Sequence, residues 1–359
     1  MPSEGVAVAS SAPAALVYGL ERSEIDAWCR AAGQPAFRAR QVWHWLYERR
    51  ITAWDEASNL PRALIDALRG HFRLDAAVAG EAAQAAPDGT RKLLVRLTDG
   101  DAVEAVLIPA ADRRTVCVST QVGCRHHCAF CASGQAGLLR NLAAAEIVGQ
   151  VLLAWREYGD RPTHVVFMGI GEPLDNYDAT LKAVRILNDH DGINIGARRL
   201  TLSTCGLVPG IERLAGEGLQ VELSVSLHAP DDDLRSRLMP VNRKYPLDVL
   251  LPACRAYAEH TGRIVTFEYT LVRDLNDTPD HARRLASRLA GLPARVNLIP
   301  LSPVREFVGE TSTPEAARAF MAVLDRAGLN VTLRSSRGGG VRGACGQLRF
   351  SPAGAGSPS

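Results

Sequence analysis

Segments rich in apolar and β-branched residues alternate with helical segments through most of the chain. The expected strands lie near residues 115–119, 164–168, 199–203, 221–227, 265–271, 295–299 and 330–334. The expected helices lie between most of them, at 143–158, 177–190, 208–217, 247–260, 280–291 and 314–327. Because parallel strands need a long crossover that a helix commonly supplies, this repeat predicts an α/β fold with a parallel sheet curled into a full or partial (β/α) barrel. In that architecture, the chemistry collects in the loops after the carboxyl ends of the strands.

The residues before the barrel pattern predict two smaller units. Short helices are expected between residues 20 and 74, where Val42, Trp45 and Leu46 fall at helical spacing. The alternating residues on either side of Thr98-Asp-Gly-Asp101 predict a β-hairpin. We expect a flexible N-terminus at 1–17, a helical domain at 18–78, a hairpin linker at 79–112, a barrel at 113–350 and a flexible tail at 351–359.

Arginines crowd the aromatic residues of the first helices, at positions 38, 40, 49 and 50. Such a mixture occurs where a protein binds nucleic acid. It is at least as common on a solvated helix whose aromatic face packs in a core. Nearby carboxylates dilute the charge, so the sequence alone leaves both interpretations open.

Composition narrows the class of protein. The 359 residues carry a net charge of only +2, so any nucleic-acid surface has to come from local clustering. No apolar run approaches the ~18 residues of a membrane span, and the N-terminus lacks the basic region of a secretory signal peptide. Three of the eight cysteines are clustered, which is typical of metal chemistry in a reducing compartment. We therefore expect a cytoplasmic protein without membrane contact.

Cys124, Cys128 and Cys131 form a Cys-x-x-x-Cys-x-x-Cys run in the loop after the first barrel strand. A closed structural zinc site needs four protein ligands, whereas an iron–sulfur cluster with three cysteine ligands leaves one iron free. The spacing resembles that of the radical S-adenosylmethionine (SAM) enzymes, in which SAM occupies the free iron. The alternatives are a zinc knuckle completed by His126 or His127, or a set of plain buried cysteines.

Polar residues follow the later strands at equivalent positions. The second strand runs into Gly169-Ile-Gly-Glu-Pro173, where glycine lets a ligand approach the backbone and glutamate accepts hydrogen bonds from an ammonium group. Taken singly, the turn is an ordinary strand-to-helix corner and each polar residue is an ordinary strand cap. Together they would surround the barrel mouth, and the candidate SAM-binding residues are Gly171, Glu172, Ser203, Ser226, Leu227, His228 and Asn297.

Two cysteines outside the run add a further candidate chemistry. Cys117 lies on the first barrel strand, and Cys345 lies in a loop flanked by glycines. That loop has arginine at positions 334, 337, 342 and 349 and no acid between residues 331 and 350, which favours a thiolate and an anionic partner. Taken singly, each is more often a plain buried cysteine.

Five motifs in order give the chain a family resemblance. They are Cys117-Val-Ser-Thr-Gln-Val-Gly-Cys124, Gly169-Ile-Gly-Glu-Pro173, Leu202-Ser-Thr-Cys-Gly-Leu-Val-Pro-Gly210, Ser226-Leu-His-Ala-Pro230 and Ala344-Cys-Gly-Gln-Leu348. Together they resemble the radical-SAM adenine methyltransferases of ribosomal and transfer RNA, the RlmN/Cfr family, from about residue 18 to 350. The resemblance implies a partial (β/α)6-type radical-SAM barrel with a small N-terminal helical domain and a connecting β-hairpin.

The resemblance also implies a chemistry. The three cysteines of the run would hold a [4Fe–4S] cluster, one per chain, and two SAM molecules would be consumed per methylation. Cys345 would take a methyl group from one SAM, and a radical made from the second would activate that methyl group for addition to adenine. Glu104, on a hairpin strand where a carboxylate is otherwise usually solvated, would accept the ring proton. Cys117 would release the product through a transient disulfide.

The implied partners are 23S rRNA, tRNA and an electron donor such as flavodoxin or ferredoxin, with the chain acting as a monomer. Carbon 2 of adenine is the expected position because it is the housekeeping activity, while the sister activity at carbon 8 uses the same cysteines. A zinc-containing RNA-binding protein without chemistry is the alternative from another class. Where the family has an acidic, aliphatic stretch before its last cysteine, this chain has the basic Gly338-Gly-Gly-Val-Arg-Gly343, which bears on the choice of RNA.

Overall fold

The computed structural model describes residues 15–75, 78–79, 84–334, 341–344 and 346–350. Its strands are β1 (Ala15–Leu16), β2 (Phe72–Arg73), β3 (Val78–Ala79), β4 (Gln84–Ala85), β5 (Arg91–Arg96), β6 (Ala102–Ala110), β7 (Arg113–Cys117), β8 (Gln121–Cys124), β9 (Gly137–Asn141), β10 (His164–Phe167), β11 (Leu200–Thr204), β12 (Glu222–Ser226), β13 (Val265–Leu271), β14 (Ala294–Pro300) and β15 (Asn330–Leu333). Its α-helices are α1 (Arg22–Ala31), α2 (Ala36–His44), α3 (Arg62–His71), α4 (Ala132–Gln135), α5 (Ala144–Tyr158), α6 (Tyr177–Asn188), α7 (Val208–Ala215), α8 (Asp232–Leu238), α9 (Leu247–Thr261), α10 (Pro279–Leu289) and α11 (Pro314–Arg326). Short 3-10 turns lie at Val17–Gly19, Trp54–Glu56, Ala197–Arg199 and Pro240–Arg243.

One sheet carries most of the strands. Its order is β15-β14-β13-β12-β11-β10-β7-β6-β5-β3, and β4 also pairs with β5. The strands β7 and β10 to β15 run parallel, whereas β5 and β6 form an antiparallel hairpin that continues the sheet beyond β7. The predicted alternation and hairpin are therefore confirmed. The barrel is open, since β15 and β3 are the edges of this sheet in the described part of the chain.

Strand β13 shows how the sheet separates the core from a cavity. All seven of its residues are buried, as expected of a parallel strand covered on both faces. Val265, Phe267 and Tyr269 belong to the hydrophobic core. Side chains alternate along a strand, so Glu268 and Thr270 point the other way and line a cavity. The outer face of the sheet is apolar and the inner face is polar.

Helix α5, which follows β9, is anchored at its first turn. The Glu146 carboxylate accepts a hydrogen bond from the Ala143 N–H at 2.8 Å, which caps α5. The same carboxylate accepts two hydrogen bonds from the Arg140 guanidinium of β9, both at 2.9 Å. This bidentate pair joins β9 to α5 and fixes the path by which the chain leaves the loop.

The N-terminal helices pack directly on the barrel. A single hydrophobic core contains residues of both parts, from Val17 to Leu348. At this contact the Arg50 guanidinium lies 4.1 Å from the ring centre of Trp155 in α5. At least one of the crowded arginines is therefore used in packing within the protein.

The aromatic residues after α2 are arranged differently from the predicted stripe. Val42 and Leu46 are buried, but Trp43 is buried as well, and Trp45 is only half-buried. The Trp45 indole N–H donates a hydrogen bond to Asn59 Oδ1 at 2.6 Å. The buried Trp43 packs against Tyr47, with 4.3 Å between the ring centres, and a π-helical turn follows α2 at Trp45–Arg49.

The predicted domain boundaries stay a prediction. Of the expected flexible ends, residues 1–14 and 351–359 lie outside the described residues, while Leu16 pairs with Arg73 in a short parallel sheet. None of the helices in the described ranges combines the length and the apolarity that a membrane span requires.

Candidate active site

The cysteine run forms a tight loop between β8 and α4. Cys124 is the last residue of β8, and Cys131 directly precedes α4. The Cys131 N–H donates to the Cys128 carbonyl at 3.1 Å, and the Ala129 N–H donates to the Leu238 carbonyl at 2.8 Å. These main-chain hydrogen bonds hold the loop and the three thiols that it carries.

The positions of the thiols suit a cluster better than a single ion. A tetrahedral zinc ion with Zn–S bonds of about 2.3 Å draws its sulfur ligands to within about 3.8 Å of one another. Within the described residues, the group of three ligand atoms that all lie within 4.8 Å of one another belongs to Asp189, His190 and Asp191 and contains no cysteine. The three thiols are therefore spread more widely, and neither His126 nor His127 completes a single-ion site with them. This spread fits a multi-atom iron–sulfur cluster.

Burial disfavours negative charge on two of these thiols, those of Cys124 and Cys128. It raises the pKa of Cys124 to about 12, and it raises the pKa of Cys128 well above the usual value. Thiolates at these positions need a positive centre beside them, and bound iron supplies one.

The cysteine loop and the carboxyl ends of the parallel strands enclose a cavity. Its volume open to the centre of a water-sized sphere is about 160 Å³. The candidate residues that line it are Cys124, Cys128, Cys131, Gly171, Glu172, Ser203, Ser226 and His228. Leu227 and Asn297 are not in the lining. The Leu227 side chain belongs to the hydrophobic core, and Asn297 lies behind Glu268, to which its side chain donates a hydrogen bond.

The turn after β10 is shaped by close backbone contacts. Gly171 has a φ of +106°, and a Cβ atom there would lie 2.7 Å from the Cβ of Gln121, so only glycine fits. The next residue, Glu172, is buried. Its Oε1 accepts from the Leu174 N–H at 3.0 Å and its Oε2 from the Cys205 N–H at 2.7 Å. Burial raises the pKa of Glu172 and these N–H donors oppose that effect, so the carboxyl group is fixed in the cavity wall.

His228 is a neutral group in the opposite wall. Its Nδ1 accepts a hydrogen bond from the Thr270 N–H at 2.9 Å, which places the ring proton on Nε2. The Phe130 ring meets it edge-on, with 4.7 Å between the ring centres. Burial, together with the nearby Arg235, lowers the pKa of His228 to about 3. The imidazole therefore remains uncharged at physiological pH and offers the cavity a hydrogen-bond donor.

Glu268 is a functional candidate that the sequence analysis missed. It lies on β13, lines the cavity and is only 4% exposed. Its Oε1 accepts hydrogen bonds from Ser224 Oγ at 3.2 Å and from Asn297 Nδ2 at 3.1 Å. Asn297 therefore lies behind Glu268. Burial raises the pKa of Glu268, while the positive charge of Arg334 acts in the other direction.

Arg235 of α8 is a second residue that the sequence analysis missed. Its fully buried guanidinium donates to the Cys205, Ser226 and Leu227 carbonyl groups at 2.8, 3.0 and 3.2 Å. A fourth hydrogen bond, of 2.8 Å, goes to Asn242 Oδ1. Arg235 thereby ties together the loops after β11 and β12, two of the strand ends that surround the cavity.

The sequence holds a signal for one of these two residues. Glu268 interrupts an otherwise apolar and β-branched strand at a position where an acid has no solvent to face. Arg235 stands among four other charged residues in Asp231-Asp-Asp-Leu-Arg-Ser-Arg237, a pattern typical of an exposed helix. Its burial follows only from the way in which α8 packs.

Glu104 is buried in the sheet, although a carboxylate on a hairpin strand is usually solvated. Its Oε1 lies 2.7 Å from the Lys92 Nζ of the neighbouring strand, and its Oε2 accepts from the Arg349 N–H at 2.8 Å. The Glu104 carbonyl also accepts from Ser119 Oγ at 2.7 Å. Glu104 therefore links the hairpin to the C-terminal segment and to the chain between β7 and β8.

Cys117 lines a second cavity on the inner face of the sheet. Cys345 lies outside the described residues. Of its described neighbours in the chain, Ala344 lines the second cavity and Gly346 lines the first. The two cavities share four lining residues, which are Met168, Ile299, Ser302 and Arg334.

Comparisons with known proteins agree with this architecture. Residues 118–286 match the model of the radical SAM superfamily, and residues 17–74 match the ribosomal RNA large subunit methyltransferase N-terminal domain. The probable dual-specificity RNA methyltransferase RlmN of Moorella thermoacetica is 49% identical over 340 residues, covering 92% of this chain and 96% of the relative. The protein of the same name from Dictyoglomus thermophilum is 44% identical over 340 residues, with 93% and 96% covered.

A solved structure gives the same result. The crystal structure of a radical SAM methyltransferase from Sphaerobacter thermophilus superposes with a TM-score of 0.89 at 47% identity, covering 94% of this chain and 99% of that one. The superfamily match assigns a [4Fe–4S] cluster and SAM as cofactors. Identity near one half over more than nine tenths of the chain shows that this protein belongs to the RlmN family of radical SAM methyltransferases.

Proposed function

We propose that this protein methylates carbon 2 of an adenine in 23S rRNA and in tRNA, by way of a methylated Cys345. The names of its relatives, dual-specificity RNA methyltransferases, and the N-terminal domain match support RNA as the substrate. The observation that carries the proposal is that two cavities lie side by side and share four lining residues. One is lined by the three-cysteine loop, and the other holds Cys117.

In this proposal Cys124, Cys128 and Cys131 hold the cluster, and the cavity beside them binds SAM. The bound cluster supplies the electron for reductive cleavage of SAM. Glu172 accepts hydrogen bonds from the ammonium group of SAM, and Ser203, Ser226 and His228 provide further hydrogen bonds. Burial of the lining residues excludes water from the ligand, which strengthens each of these polar contacts.

The remaining residues act on the methyl group and the adenine. The Cys345 thiolate attacks the methyl carbon of a first SAM, so that an S–C bond forms on the cysteine and S-adenosylhomocysteine leaves. After this carbon has been joined to the adenine ring, Glu104 accepts the ring proton. The Cys117 thiolate then attacks the Cys345 sulfur, so that an S–S bond forms while the S–C bond breaks, and the released carbon takes up a proton to become the methyl group. The unpaired electron left by the radical addition would return to the cluster.

For the partners, we expect the N-terminal helices to contact RNA and a small redox protein such as flavodoxin or ferredoxin to supply electrons to a monomeric enzyme. Because both RNA substrates are cytoplasmic during their maturation, we expect the enzyme to act in the cytoplasm.

The roles of the two cysteines predict opposite products from two single variants. Cys117→Ala should accumulate a covalent RNA–protein adduct, because the crosslink forms and cannot be resolved. Cys345→Ala should give neither adduct nor methylated RNA, because it has no methyl carrier. Denaturing gel electrophoresis with labelled RNA separates the adduct from free RNA.

Cys29→Ala is the matched control, since Cys29 is a buried cysteine in α1, away from the strand ends that form the cavities. It should methylate RNA and leave no adduct. Methylation of RNA by Cys345→Ala would show that the methyl carrier has been assigned to the wrong residue.

A further inference from the structure

The Glu268 carboxylate has one oxygen with two donors and one with none. Its Oε2 is buried, and among the described residues it finds no hydrogen-bond donor. Leaving a buried polar atom without a partner is unfavourable, and more so when the atom is charged. Because Glu268 lines the cavity, a donor on a bound ligand is a natural partner for this oxygen.

The surrounding strands hold Glu268 in one orientation. Ser224 and Asn297 both donate to Oε1, so the carboxylate cannot rotate without losing two hydrogen bonds. Glu268 pairs in register with Ser226 on one side and Asn297 on the other. Ser226, Glu268 and Asn297 are therefore in register on three adjacent parallel strands, and Glu268, which carries the oxygen without a partner, is on the central one.

The position of Glu268 indicates which part of SAM it meets. The Glu172 carboxylate accepts from the Cys205 N–H directly after β11, and Glu268 lies on β13, two strands further along the sheet. Adjacent strands are about 4.8 Å apart, so the two carboxylates are separated by about 10 Å along the sheet. A single ammonium group cannot serve both, so Glu268 faces a part of SAM beyond its amino acid.

Beyond β13 the lining is apolar at Ile299, Pro300 and Leu301, at the end of β14, and is polar again at Ser302 and Arg334. An apolar surface suits a purine ring. The ribose lies between the amino acid and the adenine in SAM, as Glu268 lies between Glu172 and this apolar surface.

We propose that Glu268 binds the ribose of SAM, with Oε2 accepting a hydrogen bond from a ribose hydroxyl group. A carboxylate plays this part towards ribose in other nucleotide-binding folds. The proposal rests on the proposed use of this cavity for SAM and adds a residue that positions the sugar. The alternative is that Glu268 serves only to balance the charge of Arg334, which also lines the cavity.

The test measures binding by the reconstituted holoenzyme, without reductant and without RNA. The probes are S-adenosylhomocysteine, which has the same ribose and cannot donate a methyl group, and its 2′-deoxy and 3′-deoxy analogues. In Glu268→Gln, Ser224 and Asn297 engage the amide oxygen, so an NH2 group replaces the accepting oxygen. We expect this variant to bind S-adenosylhomocysteine about tenfold more weakly than the unaltered enzyme does. For the deoxy analogue that lacks the hydroxyl group bound by Glu268, the variant and the unaltered enzyme should have the same affinity.

Glu259→Gln is the matched control, because Glu259 is exposed on α9 and lies outside the cavity. It should bind all three probes like the unaltered enzyme, and iron content and melting temperature show whether each variant is folded. Equal weakening for all three probes in Glu268→Gln would overturn the proposal, as would no weakening at all. The assay contains no RNA, so it tests ligand binding alone. If the unaltered enzyme did not methylate RNA, the proposed function would be contradicted, whereas the binding result for Glu268→Gln would remain valid.

Discussion

At the scale of single residues, the cavity depends on backbone positions that only certain side chains tolerate. Gly171 is one, because its φ is positive and Gln121 lies against it. His228 is another, since it adopts a φ of +58° while its ring stays neutral and buried. Both are next to, or part of, the residues proposed to bind SAM, so their substitution should change binding more than folding alone would explain.

Gly171→Ala should displace the turn that carries Glu172. The new methyl group would lie 2.7 Å from the Gln121 Cβ and 2.8 Å from its main-chain nitrogen. Gln121 Oε1 accepts from the Glu172 N–H at 2.8 Å, so movement there shifts the carboxylate. We expect a loss of at least about tenfold in affinity for S-adenosylhomocysteine, measured by equilibrium dialysis.

Gly218→Ala provides the comparison, because Gly218 also has a positive φ, of +67°, but has open space around it. It should cost about 1 kcal/mol of stability and leave ligand affinity unchanged. If Gly171→Ala bound the ligand as tightly as Gly218→Ala, the close contact with Gln121 would not be positioning Glu172.

The neutral state of His228 predicts a pH dependence of stability. Its pKa is lowered from 6.5 to about 3 in the folded protein, so the unfolded chain takes up the proton first as the pH falls. The stabilisation is complete above pH 6.5 and is lost progressively down to about pH 3, by up to about 1.4 kcal/mol per pH unit.

His228→Asn should remove this dependence, because asparagine tolerates a positive φ and can accept the Thr270 hydrogen bond without titrating in this range. We expect the melting temperature to fall less between pH 7 and pH 5 in this variant than in the unaltered protein. His260→Asn, at an exposed position of α9, should retain the full decrease. Identical pH profiles for His228→Asn and the unaltered protein would mean that the histidine is not held neutral.

At the scale of elements, the strand ends form the site and one buried guanidinium holds two of them in place. Arg235→Lys keeps the charge but replaces a planar fork of donors by a single ammonium group. It cannot reach the Cys205, Ser226 and Leu227 carbonyls and Asn242 together, so we expect a loss of about 3 kcal/mol in the free energy of unfolding from denaturant titration.

Arg237→Lys is the natural control, since Arg237 lies on the same helix and is exposed. It should change the free energy of unfolding by no more than about 0.5 kcal/mol. A comparable effect of the two substitutions would show that the four hydrogen bonds of Arg235 contribute little to the stability of the strand ends.

The elements themselves were largely predictable because their signals are local. Strand β13 has the predicted bounds, and helices such as α10 begin where Thr278 and Pro279 mark a start, with Thr278 Oγ1 accepting from the His281 N–H. The role of Trp43 in the core was not predictable, because which of the tryptophans at 43 and 45 is buried depends on how α2 packs against the rest of the protein. The ion pair of Lys92 with Glu104 depends on strand pairing, which the hairpin motif suggests but does not specify.

The candidate site was predictable to the extent that its residues follow strand ends. Gly171, Glu172, Ser203, Ser226 and His228 were placed in one cavity from that rule alone, and they do line one cavity. Asn297 also follows the rule, yet it sits behind Glu268, because neighbouring side chains decide which of two adjacent polar residues reaches the ligand.

At the scale of the whole molecule, the cavity proposed to bind SAM lies beside the cavity that contains Cys117. The first is enclosed by the three-cysteine loop and the strand ends, and the second is lined by Cys117 and by residues on both sides of residue 345. Glu104 lies in the hairpin that continues the same sheet and contacts the C-terminal segment through the Arg349 N–H. One open barrel thus brings the cavity proposed to bind SAM, the proposed resolving cysteine and the proposed base into a single structure.

The central claim is that these parts together methylate carbon 2 of adenine. The most direct measurement is mass spectrometry of nucleosides from unmodified 23S rRNA and tRNA, after incubation with the reconstituted enzyme, SAM and a reductant. We predict 2-methyladenosine in both RNAs with the unaltered enzyme and none with Cys345→Ala. The appearance of 8-methyladenosine instead, or of no methyladenosine from an enzyme that still carries its cluster and cleaves SAM, would contradict the account.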